Sequence, residues 1–243
     1  MSHKIYFASD FHLGSPSNYQ SFIREKKICS WLNSIANDAK AIYLVGDIFD
    51  FWFEYKTVIP KGFERIKGTI CQLTDKGVEV HFLPGNHDLW TFDYLESELG
   101  VIVHRKPLIT EINGKTFYIS HGDGLGKGDI KYKLIRSVFR SRICQYLFGL
   151  IHPNIGIWIA QKWSAKSRKN GGQSDKNKLK NNLIKYSKNI LAQKNINYFI
   201  YGHIHEPAEI ELSPESKYIN LGDWIKHFSY VEFHESNLLF KYF

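Results

Sequence analysis

The spacing of apolar and polar positions changes character twice along the chain. From residue 4 to residue 83, short β-type runs alternate with amphipathic stretches. Lys4–Ala8, 41–45 and 78–83 read as strands, and 24–37 and 63–75 read as helices with one apolar face. Strand, helix, strand, helix, strand predicts βαβ crossovers and a mainly parallel sheet. Shorter β-type runs follow at 101–103, Leu108–Ile112 and 116–120, and Asn113-Gly114 between the last two predicts a hairpin turn. From 127 to 194 the period becomes helical, broken near Pro153 and at Gly171-Gly172 into about three helices. Alternation then returns at 197–201, 208–212, 218–221, 229–233 and 238–242, which fits an antiparallel half packed on the first.

Charge sets the helical stretch apart. Positions 127–194 carry 16 basic residues and two acids, net +14, so the rest of a chain of net charge +8 carries −6. Such a segment calls for an anionic partner, whether nucleic acid, a phospholipid surface or a large phosphorylated ligand. It also carries large apolar residues at helical spacing, among them Leu134, Val138, Phe139, Leu147, Trp158 and Trp163. The expected organisation is one domain over 1–243 with a basic, apolar helical cap inserted at about 127–194.

The three cysteines lie far apart with no paired spacing, which argues against a disulfide framework and for a reducing compartment. The first residues lead straight into a strand pattern without a basic region followed by a long apolar one, and no run approaches a membrane span. The expectation is a cytoplasmic protein.

Five blocks carry the chemistry, each closing a predicted strand: Asp10 with His12; Gly46-Asp47 with Asp50; Gly85-Asn86-His87-Asp88; Ser120-His121-Gly122-Asp123; and Gly202-His203 with His205. One such histidine alone would be read as structural. Strand ends of an α/β sheet converge on one edge, however, so these distant blocks can meet in a single cleft. Alternate spacing lets Asp10 and His12 leave the same side of the backbone while Phe11 turns to the core. Carboxylates, imidazoles and one amide, with no thiolate, suit a pair of divalent cations. Manganese is the first choice, and iron, zinc or cobalt also fit. The chemistry of such a pair is hydrolysis of phosphate esters and anhydrides.

The set of blocks resembles the calcineurin-like metallophosphoesterase family, over the sheet scaffold from residue 4 to about 223. The resemblance implies a four-layer αββα sandwich of α/β class. It implies that Asp10, His12, Asp47 and His205 hold one metal, and that Asp47, Asn86, His121 and His203 hold the other, with Asp47 bridging. It implies a catalytic role for His87 beside Asn86, with Asp50 accepting a hydrogen bond from His87 and keeping it cationic. Asp88 and Asp123 are expected to be turn or supporting residues.

The sequence after the fourth block, the cap, and Asn220 to Trp224 together resemble the lipid A branch of this family. Members of that branch split an acylated UDP-sugar into UMP and an acylated sugar phosphate. That implies Asp129, Arg136, Ser167, Arg168 and Lys169 as substrate contacts, and peripheral attachment to the cytoplasmic face of the inner membrane. No nucleic acid and no protein partner are implied. The third block departs from the best-known members of the branch, which have Arg where this chain has His87. The rival expectation is a phosphatase or phosphodiesterase of the same family acting on a nucleotide, a nucleic acid or a phosphoprotein. A scaffold used only for protein binding would have lost ligands, and here all seven positions are filled.

Overall fold

The computed structural model describes residues 4–126, 130–170 and 173–243, and the side chains of these except at 130–132, 165–170 and 173–175. Its first half runs β1 (Lys4–Ala8), α1 (Asn18–Ile35), β2 (Ala39–Leu44), α2 (Glu64–Asp75), β3 (Glu79–Phe82), α3 (Tyr94–Leu99), β4 (Ile102–Val103), β5 (Leu108–Ile112) and β6 (Lys115–Ile119). Four helices follow, α4 (Ile130–Arg140), α5 (Arg142–Gly149), α6 (Pro153–Asn170) and α7 (Gln173–Leu191). The chain ends in β7 (Tyr198–Tyr201), β8 (Pro207–Ser213), β9 (Ser216–Leu221), β10 (Ser229–His234) and β11 (Asn237–Tyr242).

Two sheets form, ordered β11-β10-β1-β2-β3-β4 and β5-β6-β7-β9-β8. Strand β1 shows how the sequence builds the layers. Its side chains alternate, and both faces are apolar: Ile5 and Phe7 enter the core between the sheets, whereas Tyr6 and Ala8 meet α1 and α2. On the second sheet Phe117, Ile119 and Ile200 face the first sheet, and Tyr118, Phe199 and Tyr201 face outward onto α7 through Leu183. Three apolar interfaces between four layers make the αββα sandwich that the family resemblance implies.

Four features differ from the sequence reading. Helix α1 begins at Asn18, where the Ser17 hydroxyl accepts the Gln20 N–H. Its first turns leave Tyr19, Phe22 and Ile23 exposed, so no burial rhythm marks them. Among its described residues the 127–194 stretch holds four helices, because Ser141 adopts an extended backbone between α4 and α5 with no Gly or Pro to signal it. The last of them, α7, packs on the second sheet and supplies the fourth layer. Finally, β10 and β11 join the first sheet, β10 antiparallel to β1 and β11 antiparallel to β10, while β7 and β9 run parallel to β6 and to each other. Alternation within a strand records burial and does not specify its partner. Asn113 and Gly114 do form the predicted turn, both with positive φ.

Candidate metal centre

Every ligand block lies just past the carboxyl end of a strand. β1, β2 and β3 are adjacent and parallel in one sheet, and β6 and β7 are adjacent and parallel in the other. The loops they launch are stitched by backbone hydrogen bonds: Asp10 N–H to the Gly46 carbonyl at 3.0 Å, His12 N–H to Asp47 at 2.9 Å, and Gly202 N–H to His121 at 3.0 Å. The sheets are joined at the site, where His203 N–H donates to Asp10 Oδ2 at 3.0 Å and Trp224 N–H to the Asp10 carbonyl at 3.1 Å.

Asp10, His12, Asp47, His203 and His205 all have left-handed φ, between 45° and 71°. Non-glycine residues avoid that region, and such strain concentrates where geometry serves function. Glycines make the close approaches possible. A Cβ on Gly85 would lie 2.7 Å from the Asp47 backbone nitrogen, and one on Gly46 would lie 2.5 Å from His121 Nδ1.

Three groups of side chains could hold an ion, each with its ligand atoms within 4.8 Å of one another: His12, Asp50 and His87, and the two clusters of interest, Asp10, His12, Asp47 and His205 in one and Asp47, His121 and His203 in the other. Asp47 belongs to both, as a bridging carboxylate must. His12 Nε2 lies 3.1 Å from His205 Nε2, and His205 Nε2 and His121 Nε2 each lie 3.2 Å from a carboxylate oxygen, of Asp10 and Asp47 respectively. Asn86 Oδ1 is buried without a hydrogen-bond partner. An orphaned amide oxygen and converging imidazole nitrogens fit divalent cations, so the donor set passes a test of its own geometry.

Outer contacts fix the ligands. His121 Nδ1 donates to the Val45 carbonyl at 2.8 Å, which leaves Nε2 as the ligand atom. His12 Nδ1 donates to Asp50 Oδ1 at 3.2 Å, with the same result. Asp223 Oδ2 lies 3.7 Å from His205 Nδ1. The buried Arg24 guanidinium, on α1, donates to the carbonyls of Phe11, His12 and Ser15 at 2.7–2.8 Å and so holds the first block from behind.

Electrostatics follow from burial against mutual attraction. Burial raises the Asp10 and Asp47 carboxyls, but the neighbouring histidines outweigh it and hold both well below the carboxylate range. Burial lowers His12 and His121, yet the carboxylates lift His12 to about 10 and His121 well above its ordinary value. His203 is pushed down to about 4 by burial and the His121 charge. Protons on His12 and His121 thus balance Asp10 and Asp47, and a metal ion competes directly with those protons.

Asp88 and Asp123 are supporting residues. The Asp88 carboxylate accepts from Gly85 and Ile48 N–H groups, both at 2.7 Å, and clamps the second block to the third. Burial and the Asp47 charge push its carboxyl up to about 7. Asp123 pairs with Arg136 Nε at 2.7 Å, so Arg136 ties α4 to the fourth block.

Asp50 departs from expectation. His87 Nδ1 donates to the Asp50 backbone carbonyl at 2.8 Å, and the carboxylate Oδ1 is 4.0 Å away and serves His12 instead. Nor is His87 held cationic, because burial lowers its pKa more than Asp47 and Asp50 raise it. Asp129 and the side chains of Ser167, Arg168 and Lys169 lie outside the described residues. Arg24 and Ser164 are site residues that the sequence reading missed. Neither has a motif around it, and each reaches the site from a helix whose sequence reads as ordinary packing.

Comparison with known proteins agrees with this geometry. The sequence profile of the calcineurin-like phosphoesterases matches residues 3–207. A protein of Porphyromonas gingivalis named UDP-2,3-diacylglucosamine hydrolase is 37% identical over 95% of this chain and 94% of its own length. Proteins of the same name from Blochmanniella pennsylvanica and Actinobacillus succinogenes are 30% and 26% identical, over 96% and 98% of this chain and 93% and 99% of theirs.

Proposed function

The chain belongs to the calcineurin-like phosphoesterase family, and we propose that within it this protein hydrolyses the pyrophosphate of UDP-2,3-diacylglucosamine, giving UMP and 2,3-diacylglucosamine 1-phosphate for lipid A biosynthesis. One observation carries the reading: two ligand clusters sharing Asp47 lie beside a large groove with apolar walls. Relatives bearing that substrate in their names align over nearly the whole chain, which supports it further.

Asp10, His12, Asp47 and His205 would hold one cation, and Asp47, Asn86, His121 and His203 the other, with manganese first among the metals that suit the donors. Such a pair, when bound, activates water near neutral pH and neutralises charge on phosphoryl oxygens. The remaining work falls to the chain. Asn86 ligates through a neutral oxygen, which leaves the site more positive towards an anhydride. His87, with Nδ1 committed to the Asp50 carbonyl, would turn a free Nε2 to the reacting phosphate, take up a proton from solvent as the phosphate's negative charge arrives, and pass it to the leaving oxygen. The left-handed turns and the Asp88 clamp hold these groups in place before substrate arrives.

We read 1–243 as a single domain in which α4–α6 form the cap. Phe148 packs on Phe53 and Trp90 at ring distances of 4.8 and 4.6 Å, and the Trp90 indole donates to the Phe139 carbonyl at 2.6 Å. A groove of about 990 Å³ runs from Asp50 between α6 and the loop before α2, lined by Phe22, Val58, Phe63, Ile157 and Trp158. Its apolar walls would take acyl chains, while charged residues including Glu25, Lys61, Glu64 and Arg65 line the same groove. Its mouth is amphipathic. Exposed Phe22 lies under Lys26 and Arg65 at 5.4 and 5.1 Å, and exposed Trp158 under Lys162 at 4.4 Å. Aromatics beside cations suit a phospholipid headgroup layer, which supports peripheral attachment to the cytoplasmic face of the inner membrane. Among the described residues no helix is long and apolar enough to cross a membrane.

The test is UMP release by purified protein with manganese. Expected are strong preference for the acylated UDP-sugar over an aryl phosphodiester, DNA or a phosphopeptide, and loss of most turnover in His87→Ala with metal content retained. Efficient DNA cleavage with no action on the lipid would overturn the substrate.

A further inference from the structure

Helix α6 sends one described polar side chain deep into the metal centre. Ser164 is only 4% exposed, and its hydroxyl donates to Asp50 Oδ2 at 2.9 Å while lying 3.2 Å from His87 Nδ1. Asp50 uses its other oxygen, Oδ1, to accept from His12 Nδ1, and its backbone carbonyl to accept from His87 Nδ1. A single hydroxyl borne by the cap therefore touches the residue that orients one metal ligand, and also the ring assigned to the leaving oxygen. Elsewhere the cap is held by ring packing, such as Trp90 against Phe148 at 4.6 Å, by the Trp90 indole bond to the Phe139 carbonyl and by the Arg136–Asp123 ion pair. Ring packing tolerates sliding, whereas a hydrogen bond to a buried carboxylate is directional and strengthened by charge.

We propose that Ser164 is a positioning residue that couples the seating of the cap to the alignment of Asp50, and through Asp50 to His12 and His87. When α6 is seated, the hydroxyl fixes the Asp50 carboxylate, which holds the His12 ring with Nε2 toward the first cluster. The same hydroxyl stands beside His87 Nδ1 and limits rotation of that ring about its bond to the Asp50 carbonyl. A cap that lifts takes this constraint away, so the site reaches its working geometry only when the cap is down. The inference rests on the two-metal hydrolase reading and is independent of which phosphoester is the natural substrate.

The experiment compares wild type, Ser164→Ala, Asp50→Asn and the double variant with manganese, on a bare aryl phosphodiester and on the acylated UDP-sugar. Alanine is a good helix residue at this position, so the fold is retained. Expected for Ser164→Ala is about a tenfold fall in kcat on both substrates, the size of effect of about 1.4 kcal/mol. KM should stay within about twofold, with two metals per chain and an unchanged melting temperature. In the Asp50→Asn background the same change should have little further effect, because the hydroxyl acts through that carboxylate. Unchanged kcat on the aryl diester would overturn the proposal, as would a loss confined to KM for the lipid or a full tenfold loss added on top of Asp50→Asn. Hydrolysis of the aryl diester without any of the UDP-sugar would sink the substrate assignment and leave this inference standing.

Discussion

His12 and His205, 193 positions apart in sequence, bring their Nε2 atoms within 3.1 Å of each other. His12 Nδ1 is already committed to Asp50, and His205 Nδ1 faces Asp223. Each ring is thus turned by a carboxylate behind it so that its other nitrogen points inward. That arrangement suits the holding of a cation between segments far apart in sequence.

Asp47 is the residue whose loss should be felt at both metals. Asp47→Ala is expected to lower bound manganese from two per chain to less than one, and to cut turnover at least about a hundredfold, since both cations stabilise charge in the reaction. Metal analysis after gel filtration, alongside the phosphodiesterase assay, checks this. A variant that keeps two tightly held ions would show that the carboxylate does not bridge.

Two glycines should respond in opposite ways to one added methyl group. Gly85→Ala forces a Cβ against the backbone nitrogen of Asp47. It is expected to weaken manganese binding at least tenfold and to lower the melting temperature. Gly68, inside α2, has open space where a Cβ would stand, with nothing within 4 Å, and lies far from the ligand blocks in sequence. Gly68→Ala should raise stability by about 0.5–1 kcal/mol through helix propensity, with activity unchanged. Calorimetry and isothermal titration with manganese separate the two outcomes.

The candidate metal centre is legible in the sequence and its supports are hidden, for a physical reason. Ligation demands particular side chains at strand ends, so Asp10, His12, Asp47, Asn86, His121, His203 and His205 announce themselves by type and place. Support demands only a hydrogen bond at the right point in space. Arg24 and Ser164 supply theirs from helices, where an Arg or a Ser is ordinary. Asp50 stands out by its block but its partner does not, because residue type cannot tell whether a histidine will take the carboxylate or the backbone carbonyl. The layer order follows from the family resemblance, and doubly apolar strands such as β1 fit it. The pairing of β10 with β1 is not, since alternation fits either sheet.

Away from the metals, His81 and His104 predict a pH dependence. His81 Nδ1 meets His104 Nε2 at 2.9 Å, and the His81 ring stacks on Tyr43 at 4.3 Å. Burial lowers the pKa of both histidines below the ordinary 6.5. The unfolded chain therefore binds more protons as pH falls through 6.5, and stability drops from there toward the lowered folded-state values. His81→Phe keeps the stack and removes one titrating group. With chelator present in both samples, so that the metal ligands contribute equally, the urea midpoint should fall less between about pH 7.5 and 5.5 in the variant than in wild type. An equal fall would show that the pair is not linked to folding.

The central claim is a pair of cations around Asp47, and anomalous diffraction from crystals grown with manganese tests it most directly. The account predicts two peaks about 3.5–4 Å apart, one near His12 and His205, the other near Asn86, His121 and His203, with the Asp47 carboxylate between them. A single peak, or a pair that leaves Asp47 unligated, would contradict it.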